Sequence, residues 1–145
     1  MTNDQLYAFL TAHRWAVQAS VGSSGRPQAA VVGFVVTRRL ELFFDTLRSS
    51  RKYRNLQNRP HLALVIGWDQ SCTVQVDGIA DEPSGAELDE LKALYFARFP
   101  DGRDRAVLPE IAYLRVRPLW LRWSDFRATP PHIVELPGPF ARDSD

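Results

Sequence analysis

The spacing of apolar residues predicts a chain made mostly of short strands. Apolar and polar positions largely alternate over residues 40–46 and 72–80, which is typical of strands with one buried face. Gly78, inside the second of these segments, indicates a bulge that would let a barrel bend. Residues 28–37 are nearly all apolar, which favours a strand buried on both faces. In all, the pattern predicts six strands, over residues 15–20, 28–37, 40–46, 61–67, 72–80 and 111–123.

Three helices are predicted between and before these strands. The first covers residues 4–13, with Thr2 or Asn3 as its N-cap. The second follows Ser49 and Ser50, and the third extends from a capping box at Ser84 to about residue 99. Short strands at regular spacing with helices inserted between them predict a mainly β fold, a small antiparallel barrel with flanking helices.

The bulk composition excludes several classes of function. The 145 residues include 18 basic and 17 acidic side chains, so the net charge of +1 provides no general attraction for nucleic acid. One cysteine, Cys72, excludes an internal disulfide framework, and the His residues have no metal-binding partners at suitable spacing, so no metal is expected. The polar N-terminus and the lack of a long apolar run predict a cytoplasmic protein with no membrane partner. We expect one domain over residues 1–126 and an extended, Pro-rich tail over residues 127–145.

The turn that precedes the second helix carries the most concentrated chemistry in the chain. Ser49 and Ser50 stand at the expected N-cap, and Arg51 and Lys52 occupy the first helical turn. Cations at this end oppose the helix dipole, whereas an anion would be stabilised by the free backbone N–H groups there. Two interpretations remain open: the cations are solvated on an exposed helix, or a phosphate lies against them.

The same stretch carries a family resemblance. The run FFDT, three further residues, SRK, then NL and a Pro before ALVI resembles the flavin-phosphate segment of the pyridoxamine 5′-phosphate oxidase-like family. The resemblance extends over roughly residues 6–123 and implies an FMN-binding, six-stranded antiparallel split β-barrel. It also implies a homodimer with FMN at the subunit interface. The residues that it assigns to the phosphate and its surroundings are Phe44, Asp45, Thr46, Ser50, Arg51 and Lys52.

The resemblance implies further contacts with the flavin from other strands. Val32, Gly33 and Phe34 match a strand that passes under the flavin ring, although Gly33 also fits a bulge or tight packing. Polar side chains near Thr73 and Gln75 reach the flavin in the family, often from the second subunit; otherwise both face solvent. Trp123 matches a Trp near the cofactor, with core or interface packing as the alternative.

The resemblance implies an FMN-dependent oxidoreductase with an unknown small-molecule substrate. No acid–base pair is evident, which fits chemistry supplied by a cofactor. The vitamin B6 reaction itself is not expected, because the sequence after Trp123 lacks the C-terminal element with which that enzyme helps bind pyridoxal phosphate. The alternatives are a deazaflavin-dependent oxidoreductase and a non-catalytic flavin- or haem-binding protein. Haem would require an axial ligand such as His61 or His132.

Overall fold

One antiparallel sheet of eight strands organises the chain in this computed structural model, which describes residues 1–138. The strands are β1 (Trp15–Val21), β2 (Pro27–Gly33), β3 (Val35–Val36), β4 (Leu42–Leu47), β5 (His61–Ile66), β6 (Cys72–Asp81), β7 (Ile111–Asp125) and β8 (His132–Pro137). The helices are α1 (Asn3–Thr11), α2 (Arg51–Asn58), α3 (Gly85–Arg98) and α4 (Gly102–Arg105).

The two ends of the sheet are neighbouring parts of the chain, so the sheet curls into a split barrel. The strand order is β2-β1-β5-β6-β7-β4-β3, with β8 paired separately to β7. β2 and β3 are separated only by Phe34, and they pair with β1 and β4, respectively. The predicted fold class is therefore confirmed. The strand count rises from six to eight because the predicted strand over residues 28–37 breaks at Phe34, and because β8 was not foreseen.

The long strand β7 connects three neighbours. It pairs with β6 along most of its length, with β4 through its first half and with β8 through its second half. β8 lies in the segment predicted to be an extended, Pro-rich tail, and six of its residues form a strand paired with β7. Residues 139–145 lie outside the described residues, and the division into a domain and a tail stays a prediction.

Two apolar clusters hold the elements together. The larger fills the barrel and includes Phe34 and Phe44, both essentially without solvent exposure. The smaller lies between α3 and the outer side of the sheet, where Tyr95 and Phe99 pack with Phe43. Because α3 packs here, the side chains at its C-terminal end reach the region where β4 leads into α2.

Local details of the helix ends were partly predicted. Thr2 caps α1, and Ser50 caps α2 by accepting a hydrogen bond from the backbone N–H of Tyr53 at 3.2 Å. Ser84 precedes α3 but makes no capping hydrogen bond with its side chain, so the predicted capping box is wrong. Glu87 instead pairs with Arg115, which β7 holds almost fully buried and which also pairs with Asp81.

The barrel wall departs from the sequence pattern at β2. Residues 29–31 are exposed, although the apolar run predicted a strand buried on both faces. The bulge predicted at Gly78 is confirmed by a shift in the β6–β7 register between Asp77 and Gly78. No helix among residues 1–138 is long and apolar enough to cross a membrane.

Candidate functional site

The turn from β4 into α2 is held by hydroxyl groups. Thr46 Oγ1 lies 2.9 Å from Ser50 Oγ, and one of these two hydroxyls donates to the other. Ser50 also donates its backbone N–H to the carbonyl of Leu47 at 2.9 Å. The end of β4 and the start of α2 are therefore fixed to each other, and the N-terminus of α2, where backbone N–H groups lack partners within the helix, lies beside Thr46.

A cleft of about 420 Å³ opens at this turn. Its polar side comes from the β4–α2 turn, its floor from β2 and its opposite wall from α3, α4 and the start of β1. The lining residues are Trp15, Val31, Val32, Gly33, Asp45, Thr46, Leu47, Ser49, Ser50, Lys52, Tyr95, Phe99, Asp101 and Arg105.

Lys52 is the cation that α2 contributes to this cleft. Burial lowers the pKa of its ammonium group, and the nearby Asp45 carboxylate opposes that shift only in part. A lowered pKa means that the charged form lacks some of the solvation it has in water. An anion bound against Lys52 would supply the missing stabilisation, because an opposite charge favours the charged form.

Asp45, the residue before Thr46, connects the turn to charged and polar groups on the other side of the cleft. Its carboxylate accepts a hydrogen bond from Arg105 Nε at 2.8 Å and another from the Tyr95 hydroxyl at 3.1 Å. Arg105 also donates to Asp101 at 2.6 Å and to the Tyr95 hydroxyl at 3.2 Å. Burial raises the pKa of Tyr95, so this hydroxyl stays protonated and serves as a hydrogen-bond donor.

The floor of the cleft is narrow at Gly33 because aromatic rings lie against it. A Cβ atom at this position would stand 2.8 Å from Phe99 and 3.3 Å from Trp15. The close approach expected of Gly33 is therefore made by Phe99. Any larger residue here would push that ring out of the cleft wall.

The opposite end of α2 is tied to the barrel. Asn55 is buried and donates to Ser20 at 3.1 Å and to Gln28 at 2.9 Å. Arg59, just after the helix, donates to the carbonyl of Gly22 at 2.9 Å. These bonds fix α2 against β1 and the β1–β2 turn, so they fix the direction in which its N-terminus points.

The structure brings together half of the twelve candidate residues. Six of them line the cleft: Val32, Gly33, Asp45, Thr46, Ser50 and Lys52. Phe34 and Phe44 point into the barrel core. Arg51 is exposed at the start of α2 and does not line the cleft.

The last three candidates lie outside the cleft lining. Trp123 lies eleven residues along β7 from Ala112, the ladder partner of Thr46, which is roughly 36 Å of strand at ~3.3 Å per residue. Thr73 and Gln75 pair with Ser124 and Arg122 at the same far end. Within one chain, none of these three side chains lines the cleft that holds Lys52.

Sequence reasoning missed most of the wall formed by α3 and α4. Tyr95 is buried, and its contact with Asp45 joins residues 50 positions apart, which no local pattern indicates. Arg105 lies in a short helix that no periodic pattern indicated. Ser49 was considered only as a cap, and Trp15 only as part of a strand. Among residues 1–138, no group of three or more His, Cys, Asp and Glu side chains is placed to hold a metal ion.

Comparisons with known proteins agree with this architecture. The chain is 33% identical over 101 residues to a pyridoxine/pyridoxamine 5′-phosphate oxidase of Burkholderia multivorans, a match covering 69% of this chain and 45% of that relative. The chain thus matches less than half the length of this curated relative.

Two solved structures share the fold at low sequence identity. A haem-binding protein from Mycobacterium smegmatis superposes with a TM-score of 0.81 at 16% identity, covering 94% of this chain and 58% of that one. A pyridoxamine 5′-phosphate oxidase-related, FMN-binding protein from Nostoc punctiforme superposes with a TM-score of 0.64 at 16% identity, covering 90% and 84%. The family model described as pyridoxamine 5′-phosphate oxidase matches residues 2–123. This chain therefore belongs to the pyridoxamine 5′-phosphate oxidase-like family.

Proposed function

We propose that the protein binds FMN in this cleft and acts as an FMN-dependent oxidoreductase on a small molecule. The observation that carries the proposal is the half-buried Lys52 beside the hydroxyls of Thr46 and Ser50 at the N-terminus of α2. This combination of an ammonium group, hydroxyls and free N–H groups suits an anionic group such as a phosphate.

Each part of the β4–α2 turn would contribute to phosphate binding. One of the two hydroxyls, that of Thr46 or that of Ser50, would donate a hydrogen bond to the phosphate while the other donates within the pair, and Lys52 would supply a charge-assisted hydrogen bond. Arg51, at the exposed start of α2, would add positive charge from the solvent side. The fixed Thr46–Ser50 contact means that this arrangement exists before the ligand arrives.

The rest of the cleft suits a planar ring. Val32 and Gly33 form its floor, and Trp15 and Phe99 stand beside Gly33 with their ring centroids 6.0 Å apart. Bound FMN would supply hydride and electron transfer there, while the protein binds, orients and shields it. On the far side of the cleft, the Tyr95 hydroxyl donates its proton to Asp45 and accepts a hydrogen bond from Arg105, which holds these two charged groups in place.

The outer face of the sheet supports a homodimer. Ladder partners point to the same side of a sheet, so Val31, Val17 and Val65 form one row and Ala29, Ala19 and Ala63 the next. Val31 is 60% exposed, and Ala29 and Ala63 are exposed as well. Such a continuous apolar surface is typical of a protein–protein interface.

This apolar surface connects the cleft to the distant candidate residues. Val31 belongs to both the surface and the cleft, and Val65 is followed in the same row by Gln75. A second copy docked on this face by a two-fold axis would bring its own Gln75, and the neighbouring Thr73, towards the first copy's cleft. We therefore propose that FMN lies at the subunit interface.

The FMN proposal is tested by titrating the cofactor-free protein with FMN and following the quenching of flavin fluorescence. Saturable binding with a dissociation constant in the micromolar range or below is expected. A deazaflavin cofactor titrated in parallel separates the two flavin classes. No binding of FMN at ~100 μM would overturn the proposal, since a dissociation constant above that concentration is too weak for a resident cofactor.

The interface is tested by sedimentation of the Val31→Asp variant. The wild-type protein should sediment as a dimer, whereas Val31→Asp should give monomers with weakened FMN binding. Val107→Asp is the matched control, because Val107 is 82% exposed and lies outside the apolar surface. A wild-type monomer that binds FMN normally would contradict an interfacial site.

A second candidate function rests on the same outer face. His61 lines an apolar cleft of about 490 Å³ together with Ala19, Ala63 and Trp120, and an imidazole beside an apolar wall suits a haem iron. Haem there would exclude a second copy, because both would use Ala19 and Ala63. Titration with haem tests this: a His61→Ala variant should lose the absorbance change seen with wild type. An unchanged spectrum would remove the haem site.

A further inference from the structure

The carboxylate of Asp45 conflicts with a phosphate in the cleft. Asp45 directly precedes Thr46, lines the same cleft as Lys52, and its side chain is only 12% exposed. A negative charge so placed would repel a dianion, and partial burial limits the screening of that repulsion by water. The cleft must therefore neutralise Asp45 before it accepts a phosphate.

Arg105 provides this neutralisation from a distant part of the chain. It lies 60 residues after Asp45 and donates to the Asp45 carboxylate at 2.8 Å. The Tyr95 hydroxyl donates to the other oxygen of that carboxylate at 3.1 Å. Arg105 is itself held by Asp101 and Tyr95, so its guanidinium group is fixed in position.

The charges that line the cleft show why Arg105 matters. They are Lys52 and Arg105 on the positive side, and Asp45 and Asp101 on the negative side. Asp101 is 66% exposed, so water screens much of its charge. With Arg105 present, the negative charge of Asp45 is neutralised, and the positive charge of Lys52 remains beside the hydroxyls. Without Arg105, Asp45 would oppose Lys52 directly.

We propose that Arg105 determines the specificity of the cleft for a dianionic phosphate by cancelling the charge of Asp45 next to Lys52. This inference rests on the proposed function, in which the cleft holds the phosphate of FMN. Arg105 is thus a positioning and charge-balancing residue that acts through Asp45, and it need not touch the ligand.

The test compares FMN with riboflavin, which has the same ring system and no phosphate. The ratio of their two dissociation constants isolates the phosphate contribution from ring binding. In Arg105→Gln, the preference for FMN should fall by about 10-fold or more, because the negative charge of Asp45 would be left without its cationic partner in the cleft that holds the phosphate. Riboflavin affinity should stay within about threefold of wild type.

A double-mutant cycle separates charge balance from a merely structural role. Asp45→Asn alone should keep or increase the preference for FMN, since it removes the repulsive carboxylate. Asp45→Asn combined with Arg105→Gln should return the preference to within about threefold of wild type. Arg105→Lys, which preserves the charge, should also retain most of the preference.

Each outcome of this cycle is decisive. An Arg105→Gln variant with an unchanged FMN preference, or a double variant as weak as Arg105→Gln, would overturn the inference and leave the proposed function intact. If Arg105→Gln fails to fold, Asp45→Asn and Arg105→Lys still test the inference, because a loss of FMN preference in Asp45→Asn would contradict it. A wild-type protein that binds neither flavin would overturn the proposed function and this inference together.

Discussion

Replacing Lys52 with Met tests the phosphate site most sharply within the chain. Met retains the length of the side chain and removes its charge, and Lys52 is the only residue of the β4–α2 turn that is both cationic and part of the described cleft lining. A charge-assisted hydrogen bond contributes about 1.5–3 kcal/mol, so Lys52→Met should weaken FMN binding by roughly 10- to 150-fold. Riboflavin affinity should change little, because the phosphate is absent.

Arg51 is the matched control for this experiment. It neighbours Lys52 and carries the same charge, but it is exposed and does not line the cleft. An exposed ion pair contributes up to about 1 kcal/mol, so Arg51→Met should weaken FMN binding by about fivefold or less. Both variants are assayed by flavin fluorescence quenching. Equal losses from the two variants, or no loss from Lys52→Met, would refute the phosphate assignment.

The lowered pKa of Lys52 adds a dependence on pH. The ammonium form binds the phosphate, so FMN affinity should fall as the pH rises through that lowered pKa, at a pH below 10.5. Between the lowered pKa and 10.5 the unfolded chain binds more protons than the folded one, so the free energy of unfolding should rise with pH in this window. Lys52→Met should remove both dependences. It should also fold at least as stably as wild type, since a partly desolvated charge is gone.

Three further substitutions test the framework around the site. Arg115→Met should lower the free energy of unfolding by about 2–4 kcal/mol, because the Arg115 side chain is only 3% exposed and its pairs with carboxylates are removed. Arg117→Met, at 44% exposure, should lower it by less than about 1 kcal/mol. Equal losses of stability in denaturant melts would contradict the account. Gly78→Ala should lose about 1–3 kcal/mol, since its Cβ would stand 2.6 Å from a valine methyl and 2.9 Å from a backbone oxygen. Gly22→Ala, with no contact below 3.6 Å, should be nearly neutral, and a neutral Gly78→Ala would argue against the bulge geometry. Asn55→Ala should weaken FMN binding more than riboflavin binding, because α2 loses its anchor on the barrel; equal weakening would show that Asn55 stabilises the fold without aiming α2.

The parts of this fold that were predictable depend on local signals. Alternation along β6, the cap at Ser50 and the bulge at Gly78 each arise from a few consecutive residues, and all three are present. The clustering of Thr46, Ser50 and Lys52 in one cleft was likewise predictable, since they are within seven residues of one another.

The parts that were missed depend on contacts between residues far apart in the sequence, or on the proposed second copy. The Asp45–Arg105 pair joins residues 60 positions apart, and no local pattern indicates it. Prolines flank β8, and proline is disfavoured within strands, so the sequence alone does not indicate a strand here. The strand forms by pairing with β7. The apolar run in β2 indicated burial on both faces, but one chain leaves residues 29–31 exposed, and a second copy would supply the missing cover.

The most direct test of the central claim is the identity of the chromophore that copurifies with the protein. Absorbance spectroscopy and mass spectrometry of the acid-released cofactor should show FMN, with absorbance near ~450 nm and about one flavin per chain. A deazaflavin, absorbing near ~420 nm, would redirect the same site to the other cofactor class. A colourless protein that also does not bind added FMN at micromolar concentration would contradict the account.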